Sequence, residues 1–201
     1  MGAVTDVLTM LGVIRKALKL KPLPGDTPLS LGSMVAQRAQ QSPDNVMVVF
    51  EGVTLTWGQF NTKANQMAHY LKSQGVKKGD AVALLMENRI ENLACVTALA
   101  KIGAVAAMIN TSLTEAPLLH CIKSVASVKV IVGQELLSPL SEIRSELGLA
   151  SNDIFWVQDA ALSGAGVAPE WAVALDFEGQ PGTDLPQTAE VTLSDLAYYI
   201  F

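Results

Sequence analysis

The sequence predicts an α/β fold, a three-layer sandwich with a mainly parallel central sheet plus a small β-hairpin. Continuous apolar runs, as at residues 81–86 and 104–109, are typical of strands that are covered on both faces. These runs alternate with amphipathic segments that start at helix-capping residues, and the connections between them are short. Such alternation predicts parallel strands joined by helices on both faces of one sheet. Half of the 201 residues are apolar, which is enough for a packed core.

Residues 1–25 are predicted to be a separate unit, an amphipathic helix and a linker, and residues 26–201 the α/β part. Apolar side chains recur every three or four residues on one stripe of this helix: Val4, Val7, Leu11, Ile14 and Leu18. The stripe can dock on the body of the protein or lie in a membrane surface, and both locations are open. Basic residues gather near its end: Arg15, Lys16, Lys19 and Lys21. They favour peripheral contact of residues 1–21 with the inner face of an anionic membrane.

The segment from residue 29 to 75 is predicted to form helix, hairpin and helix. Ser30 suits the N-cap of a helix that ends at Pro43, with Leu31, Val35 and Ala39 facing inward. Apolar residues alternate on both sides of a Glu-Gly turn in residues 46–56, which predicts a β-hairpin at one margin of the central sheet. Thr56 and Gln59 fit a capping box, and the helix that they open closes at Gly75.

Four buried strands follow, predicted at residues 81–86, 104–109, 128–132 and 154–157. The helices between them are predicted to open at three places: Asn88 with Glu91 as a second capping box, Thr114, and Ser138 before a proline. Residues 159–187 are rich in Gly, Ala and Pro and are predicted to be a long irregular connection. Residues 196–201 are predicted to be a last apolar strand. Its exposed edge is expected to promote self-association of the chain into a homo-oligomer.

Composition excludes several classes of function. A net charge of −5 and a pI near 5.0 argue against a nucleic-acid surface, and no apolar run reaches the ~20 residues of a membrane span. Cys95 and Cys121 lack metal-binding spacing, which suits reduced thiols of a cytoplasmic protein. His69 and His120 stand alone on predicted helices, so neither is assigned a catalytic or metal-binding role. The sequence contains neither GxGxxG nor GxxxxGK[ST].

The carboxyl ends of the predicted strands are the place where an open parallel sheet binds ligands. One of these ends carries Asn110, Thr111 and Ser112, a small polar loop that leads into the helix starting at Thr114. Free N–H groups and the helix dipole favour a phosphate or carboxylate at such a helix start. The alternative is a solvated turn with no ligand. Glu87 and Glu91, near another strand end, are interpreted as solvated or capping residues.

Several motifs resemble the N-terminal core of the adenylate-forming superfamily, and within it the branch of fatty-acid transport proteins and very-long-chain acyl-CoA synthetases. They are "ANQ" on the second helix, "GVKKGD" before the first buried strand, "KIGAV" at the end of the next helix, and "LLHC" after the polar loop. The last residues, "SDLAYYIF", resemble the family's lead-in to its ATP phosphate loop. The resemblance covers residues 29–201.

The resemblance implies the N-terminal fragment of an ATP-dependent, AMP-forming fatty-acid–CoA ligase. The complete enzyme would use ATP, Mg²⁺ and CoA, and its phosphate loop would follow Phe201. No catalytic or metal-binding residue is therefore assigned to this chain, which is expected to be inactive alone and to bind no cofactor tightly. In the family, the loop matching residues 109–115 lies near the CoA nucleotide, which adds Asn110, Thr111 and Ser112 as candidate cofactor-binding residues. Two alternatives stay open: a non-enzymatic binding module of the same fold, and a ligase for aryl or other carboxylic acids.

Overall fold

A computed structural model describes residues 21–159 and 166–201 of the chain. The predicted N-terminal helix falls within residues 1–20 apart from its last residue, and therefore lies outside the described residues. The α/β prediction is confirmed, because helices cover both faces of a six-stranded parallel sheet and a two-stranded hairpin accompanies it.

The first described elements are a helix, a hairpin and a longer helix. They are α1 (Leu31–Gln41), β1 (Val46–Phe50), β2 (Val53–Thr56) and α2 (Trp57–Ser73). Both helices start at the predicted caps. Ser30 Oγ accepts a hydrogen bond from Ser33 N at 3.1 Å, and Thr56 Oγ1 accepts one from Gln59 N at 3.3 Å. Each N–H that the cap satisfies is one that the first helical turn would otherwise leave unpaired.

The hairpin was predicted at a margin of the central sheet, and this prediction is wrong. Among the strands of the described residues, β1 and β2 pair only with each other, as a separate antiparallel sheet. Met47, Val48 and Leu55 attach the hairpin to the body, because they pack against the core on the α2 side. The sequence pattern of a hairpin reports which face is apolar and does not report its backbone partner.

The central sheet has the strand order β7-β6-β5-β3-β4-β8, and all of its pairs are parallel. Its strands are β3 (Ala81–Leu85), β4 (Val105–Met108), β5 (Lys129–Gly133), β6 (Ile154–Val157), β7 (Val173–Ala174) and β8 (Tyr198–Ile200). Three helices connect the first four strands: α3 (Ile90–Ile102), α4 (Glu115–Ser124) and α5 (Leu137–Leu147). Strand β7 was missed because two residues inside a Gly- and Pro-rich connection give no periodic signal. The predicted last strand pairs with β4 and forms one edge of the sheet.

Alternate residues of each strand enter two different cores. Val82 and Leu84 of β3 pack with α1, α2 and α3, whereas Ala83 and Leu85 pack with α4 and α5. Both sets are buried, so each inner strand is apolar throughout, as the continuous apolar runs predicted. Because α3 covers one face and α4 and α5 cover the other, the chain changes face on leaving β4.

Two predicted helix starts are wrong. Ser138 does not open α5, because the helix begins at Leu137 with Leu136 at the N-cap position, and Ser138 lies inside its first turn. Asn88 does not cap α3; Arg89 occupies the N-cap position with extended backbone, and its side chain makes no capping hydrogen bond. The helix still ends at Gly103, as predicted, in the left-handed conformation (φ 80°). Arg89 instead directs its side chain into a group of ion pairs at the end of the sheet.

The connection between β7 and β8 is fixed to helices α2 and α3 by polar side chains. On α2, Asn65 Nδ2 donates to Gly182 O at 2.9 Å and Gln66 Nε2 donates to Glu178 O at 2.9 Å. On α3, the fully buried Lys101 ammonium contacts Asp184 Oδ1 at 2.7 Å. Among the helices of the described residues, none is both long and apolar enough to span a bilayer.

Candidate functional site

Four loops meet at the carboxyl edge of the central sheet. They follow β3, β4, β5 and β6, and they carry Arg89, the Asn110 loop, Glu135 and Asp159, respectively. The helix after β3 leaves towards one face of the sheet, and the helices after β4 and β5 leave towards the other. Strand ends whose connections diverge in this way leave a crevice, which is the usual ligand position in open α/β sheets. The fold therefore places the predicted polar loop where a ligand is expected.

The loop of Asn110, Thr111 and Ser112 is a tight turn stabilised by its own side chain. Asn110 Oδ1 accepts a hydrogen bond from Ser112 N at 2.9 Å, and Asn110 O accepts one from Leu113 N at 3.1 Å. Asn110 and Ser112 are exposed and Thr111 is half-buried. The turn is thus an Asx-type turn that fixes the loop without any ligand.

The start of α4 directly follows this loop. Thr114 occupies the N-cap position, as predicted, but its side chain makes no capping hydrogen bond. Glu115 has a positive φ of 51°, and its carboxylate lies in the first turn. The first-turn N–H groups of α4 are therefore left without the usual side-chain acceptor, although Glu115 reduces the attraction for an anion at the same place.

A second group of residues at this edge was not identified from the sequence. Arg89 Nη1 lies 2.9 Å from Glu135 Oε2 and 3.0 Å from Asp159 Oδ2. Arg89 Nη2 donates to Val157 O at 3.2 Å, and Glu87 N donates to Glu135 Oε1 at 2.8 Å. These contacts tie together the ends of β3, β5 and β6. The signal was present, because an arginine follows one strand and an acidic residue follows each of two others, but the strand order needed to bring them together was unknown.

The geometry of Arg89 suits a structural role. Its side chain is 6% exposed, and two carboxylates and a carbonyl occupy its terminal nitrogens. A guanidinium bound through both terminal nitrogens in this way fixes the geometry of the three strand ends. Its buried Nε has no hydrogen-bond partner among the described residues. Glu91, interpreted as a solvated or capping residue, forms an ion pair with Lys63 at 3.0 Å.

Two hollows lie beside this cluster, between the hairpin and the start of α3. One has a volume of about 410 Å³ and is lined by Phe50, Lys63, Arg89 and Glu91 among others. The other, of about 370 Å³, extends from Arg89 to Met108 at the end of β4. The second hollow therefore connects the ion-pair cluster with the strand that carries the Asn110 loop.

The remaining chemically reactive side chains have ordinary surroundings. Cys95 is fully buried on α3, where burial raises the pKa of its thiol to about 12, so it is not a nucleophile at neutral pH. His69 Nε2 lies 3.0 Å from Thr183 O, and His120 is exposed. In the described ranges, 21–159 and 166–201, no three His, Cys, Asp or Glu side chains form a group that could hold a metal ion.

Comparison with known proteins gives a consistent result. The sequence model of the AMP-binding enzyme family matches residues 35–201. Mouse long-chain fatty acid transport protein 6 is 32% identical over 71% of this chain and 23% of its own length. The medium/long-chain-fatty-acid–CoA ligase FadD6 of Mycobacterium tuberculosis is 27% identical over 86% of this chain and 27% of its own length. The chain thus spans about a quarter of the length of these relatives.

Solved structures of ligases share the fold. A Mycobacterium tuberculosis fatty acyl CoA synthetase superposes with a TM-score of 0.71 and 28% identity, over 87% of this chain and 33% of that one. The anthranilate CoA ligase AuaEII superposes with a TM-score of 0.76 over 88% of this chain and 32% of that one. Its identity of 23% shows likeness of fold alone.

Proposed function

The chain belongs to the AMP-binding enzyme family, and we propose that it is the N-terminal α/β part of an ATP-dependent, AMP-forming fatty-acid–CoA ligase. The observation that carries the proposal is the family match over residues 35–201. Relatives at 27–32% identity that act on medium- and long-chain fatty acids, or are named for transporting them, support the fatty acid as substrate.

The proposed reaction has two steps. A fatty-acid carboxylate oxygen attacks the α-phosphorus of ATP, pyrophosphate leaves, and an acyl-adenylate forms. The CoA thiol then loses its proton and attacks the acyl carbon, and AMP leaves with the original carboxylate oxygen. Catalysis of phosphate chemistry depends on charges held in fixed positions around the phosphates. The chain has no Gly-rich phosphate loop and its described residues have no metal cluster, so we assign it no step through ATP or Mg²⁺.

The proposed contribution of this chain to the reaction is to position CoA. The turn of Asn110, Thr111 and Ser112 is held by the hydrogen bond from Ser112 N to Asn110 Oδ1, and Asn110 and Ser112 are exposed. It lies at the start of α4, where a nucleotide phosphate can accept hydrogen bonds from hydroxyl and N–H donors. Such a contact acts in the thioester-forming step only. We therefore propose that the loop affects the affinity for CoA and leaves adenylate formation unchanged.

The loop is tested in the longer ligase with the Thr111→Ala/Ser112→Ala double variant. The expected result is an increase of the KM for CoA with an unchanged rate of ATP–pyrophosphate exchange, which reports adenylate formation alone. Ser124→Ala is the matched control, because Ser124 lies at the opposite end of α4 and its hydroxyl bonds only to Cys121 O within the helix. An unchanged KM for CoA would assign the turn a structural role.

The substrate class is tested with a panel of acids. Thioester formation by the longer ligase is expected to be fastest with long-chain fatty acids, and slow with benzoate and anthranilate. The opposite order would support the alternative of an aryl-CoA ligase, for which the likeness to AuaEII offers the fold alone. The 201-residue chain by itself is expected to release no pyrophosphate above background. A longer protein that bound these ligands without turnover would indicate a non-enzymatic module.

A further inference from the structure

A hollow with a basic rim lies at the amino edge of the central sheet, where α2 and α3 end. Its volume is about 360 Å³, within the range of small-ligand pockets, roughly 300–1,000 Å³. Buried Val76, Ile102 and Leu185 form its apolar floor, and Lys72 and Lys77 lie exposed at its rim. The candidate site lies at the other end of the strands. Since β3 has five residues at roughly 3.3 Å each, about 17 Å of strand separates the two places.

The lysines of this hollow differ in what they contact. Lys78 is already engaged, because its Nζ contacts Asp195 Oδ2 at 2.7 Å and donates to Glu190 O at 3.2 Å. The ammonium groups of Lys72 and Lys77 form no ion pair with another described residue. Three lysines and one glutamate line the hollow, so its lining is positive in a chain of net charge −5. Two ammonium groups are therefore available to an anion.

The surroundings favour a ligand with one negative charge over one with several. Both helix ends at the hollow are carboxyl ends, since α2 ends at Ser73 and α3 at Ile102. The carboxyl end of a helix carries a partial negative charge, which disfavours a nucleotide polyphosphate. Among the described residues that line the hollow, none is aromatic, so a nucleobase finds no ring on which to stack. A single carboxylate on an aliphatic tail matches both the ammonium groups and the floor.

We propose that this hollow binds a fatty-acid anion, with its carboxylate between Lys72 and Lys77 and its tail on the floor of Val76, Ile102 and Leu185. The methylene stems of lysine side chains cover apolar surface and add to the contact with the tail. Because the hollow lies at the opposite edge of the sheet from the candidate site, a fatty acid bound there is a ligand and not the molecule that is activated. The proposal rests on the lining of the hollow and not on the ligase function proposed above.

NMR titration of the 201-residue chain with dodecanoate, below its micelle concentration, tests the location. The amide signals of Val76, Lys77 and Leu185 are expected to shift in proportion to occupancy, and those of residues 110–113 at the candidate site are expected to stay in place. Two further ligands separate the parts of the contact. Dodecyltrimethylammonium has the same tail with the opposite charge, and acetate has the charge without the tail. Both should bind about tenfold more weakly or less, because each lacks one of the two contacts.

A pair of charge variants tests the role of the two lysines. Lys72→Gln/Lys77→Gln should weaken the binding of dodecanoate about fivefold, a loss in keeping with charge contacts at an exposed site. The matched control is Lys123→Gln/Arg144→Gln, which removes two exposed positive charges from α4 and α5 on the other face of the sheet and should leave the affinity unchanged. Both variants keep the apolar floor, and thermal unfolding checks that each remains folded.

Four results would overturn the proposal. The first is absence of shifts at Val76 and Leu185, or shifts confined to residues 110–113, which would place the fatty acid at the candidate site and leave the proposed ligase function standing. The second is equal affinity of the lysine variant and its control, or equal binding of dodecyltrimethylammonium. The third is displacement of dodecanoate by ADP at lower concentration, which would indicate a nucleotide site. The fourth is shifts that appear with phosphatidylglycerol vesicles and not with free dodecanoate, which would place the lysines on a membrane surface.

Discussion

Removal of the Asp184 carboxylate is expected to destabilise the fold more than removal of the Lys101 ammonium, although both changes break the same ion pair. Lys101 Nζ lies 2.7 Å from Asp184 Oδ1 and 2.8 Å from Asn61 Oδ1. The lysine side chain is 0% exposed and the aspartate side chain is 32% exposed. The two partners therefore differ in what happens to the charge that remains.

The structure gives the expected magnitudes. Asp184→Asn leaves an ammonium buried among neutral acceptors, and removing one partner of a buried pair costs about 3–5 kcal/mol. Because Asp184 is partly exposed, the lower end, about 3 kcal/mol, is expected. Lys101→Met leaves a carboxylate that can turn to water, and its cost is expected to be about 1 kcal/mol. The double variant Lys101→Met/Asp184→Asn should lose about as much free energy of unfolding as Lys101→Met, since it leaves no buried charge.

The same pair predicts a dependence of stability on pH. Burial raises the pKa of Asp184, but hydrogen bonds from Lys101, Asn65 and Asn61 outweigh it and hold the pKa below its usual range. The contribution of ionised Asp184 to the free energy of unfolding is therefore fully present above the ordinary aspartate pKa of about 4. It is lost as the pH falls through the lower pKa that Asp184 has in the folded chain. Burial also lowers the pKa of Lys101, against the opposing effect of Asp184. Stability should therefore rise with pH between the folded pKa of Lys101 and its ordinary value of about 10.4.

Urea unfolding followed by tryptophan fluorescence measures both effects. At pH 7, Asp184→Asn should lower the free energy of unfolding more than Lys101→Met does. On acidification, the free energy of unfolding should fall less for Asp184→Asn than for the unchanged chain. The reasoning is refuted if Lys101→Met costs as much as Asp184→Asn, or if acid destabilises Asp184→Asn as steeply as the unchanged chain.

Three further predictions follow from packing, charge and exposure. Gly32→Ala should lower the free energy of unfolding by about 1–3 kcal/mol, because the added Cβ would lie 2.8 Å from the backbone of α3. Gly179→Ala, where nothing lies within 4 Å, is the control for urea unfolding, and an equal effect of the two would contradict the close packing of α1 on α3. Arg89→Lys should lower the free energy of unfolding by about 1–2 kcal/mol, because the single nitrogen of lysine cannot occupy the positions of both Nη1, which contacts two carboxylates, and Nη2, which contacts a carbonyl; an unchanged thermal midpoint would contradict this prediction. Ile200→Lys should reduce concentration-dependent association in light scattering, since this 76% exposed side chain lies on the outermost strand, and a strictly monomeric parent chain would refute the prediction.

Much of the fold could be predicted from the sequence because its signals are local. The caps at Ser30 and Thr56 and the left-handed Gly103 depend on a few neighbouring residues, and the structure confirms them. Continuous apolar runs likewise located the inner strands, because a strand covered on both faces needs apolar residues at every position. The pairing of the hairpin and the two-residue strand β7 could not be predicted, since each depends on which distant backbone lies alongside.

The candidate site was predictable only in part, for the same reason. Asn110, Thr111 and Ser112 could be assigned to a strand end from the alternation of strands and helices alone. In the cluster of Arg89, Glu135 and Asp159, each acidic residue is at least 46 residues from Arg89 in the sequence. The cluster forms only because β3 lies next to β5. Charge partners at that separation are set by strand order, which the periodicity of a single sequence does not encode.

The most direct test of the proposed ligase function follows one oxygen atom. A long-chain fatty acid labelled with heavy oxygen in its carboxylate is incubated with ATP, Mg²⁺, CoA and the proposed complete ligase, and the nucleotide product is analysed by mass spectrometry. Attack of the carboxylate on the α-phosphorus predicts one labelled oxygen in AMP for each thioester formed. Label in inorganic phosphate with ADP as the nucleotide product, or thioester formation without label in AMP, would contradict the account.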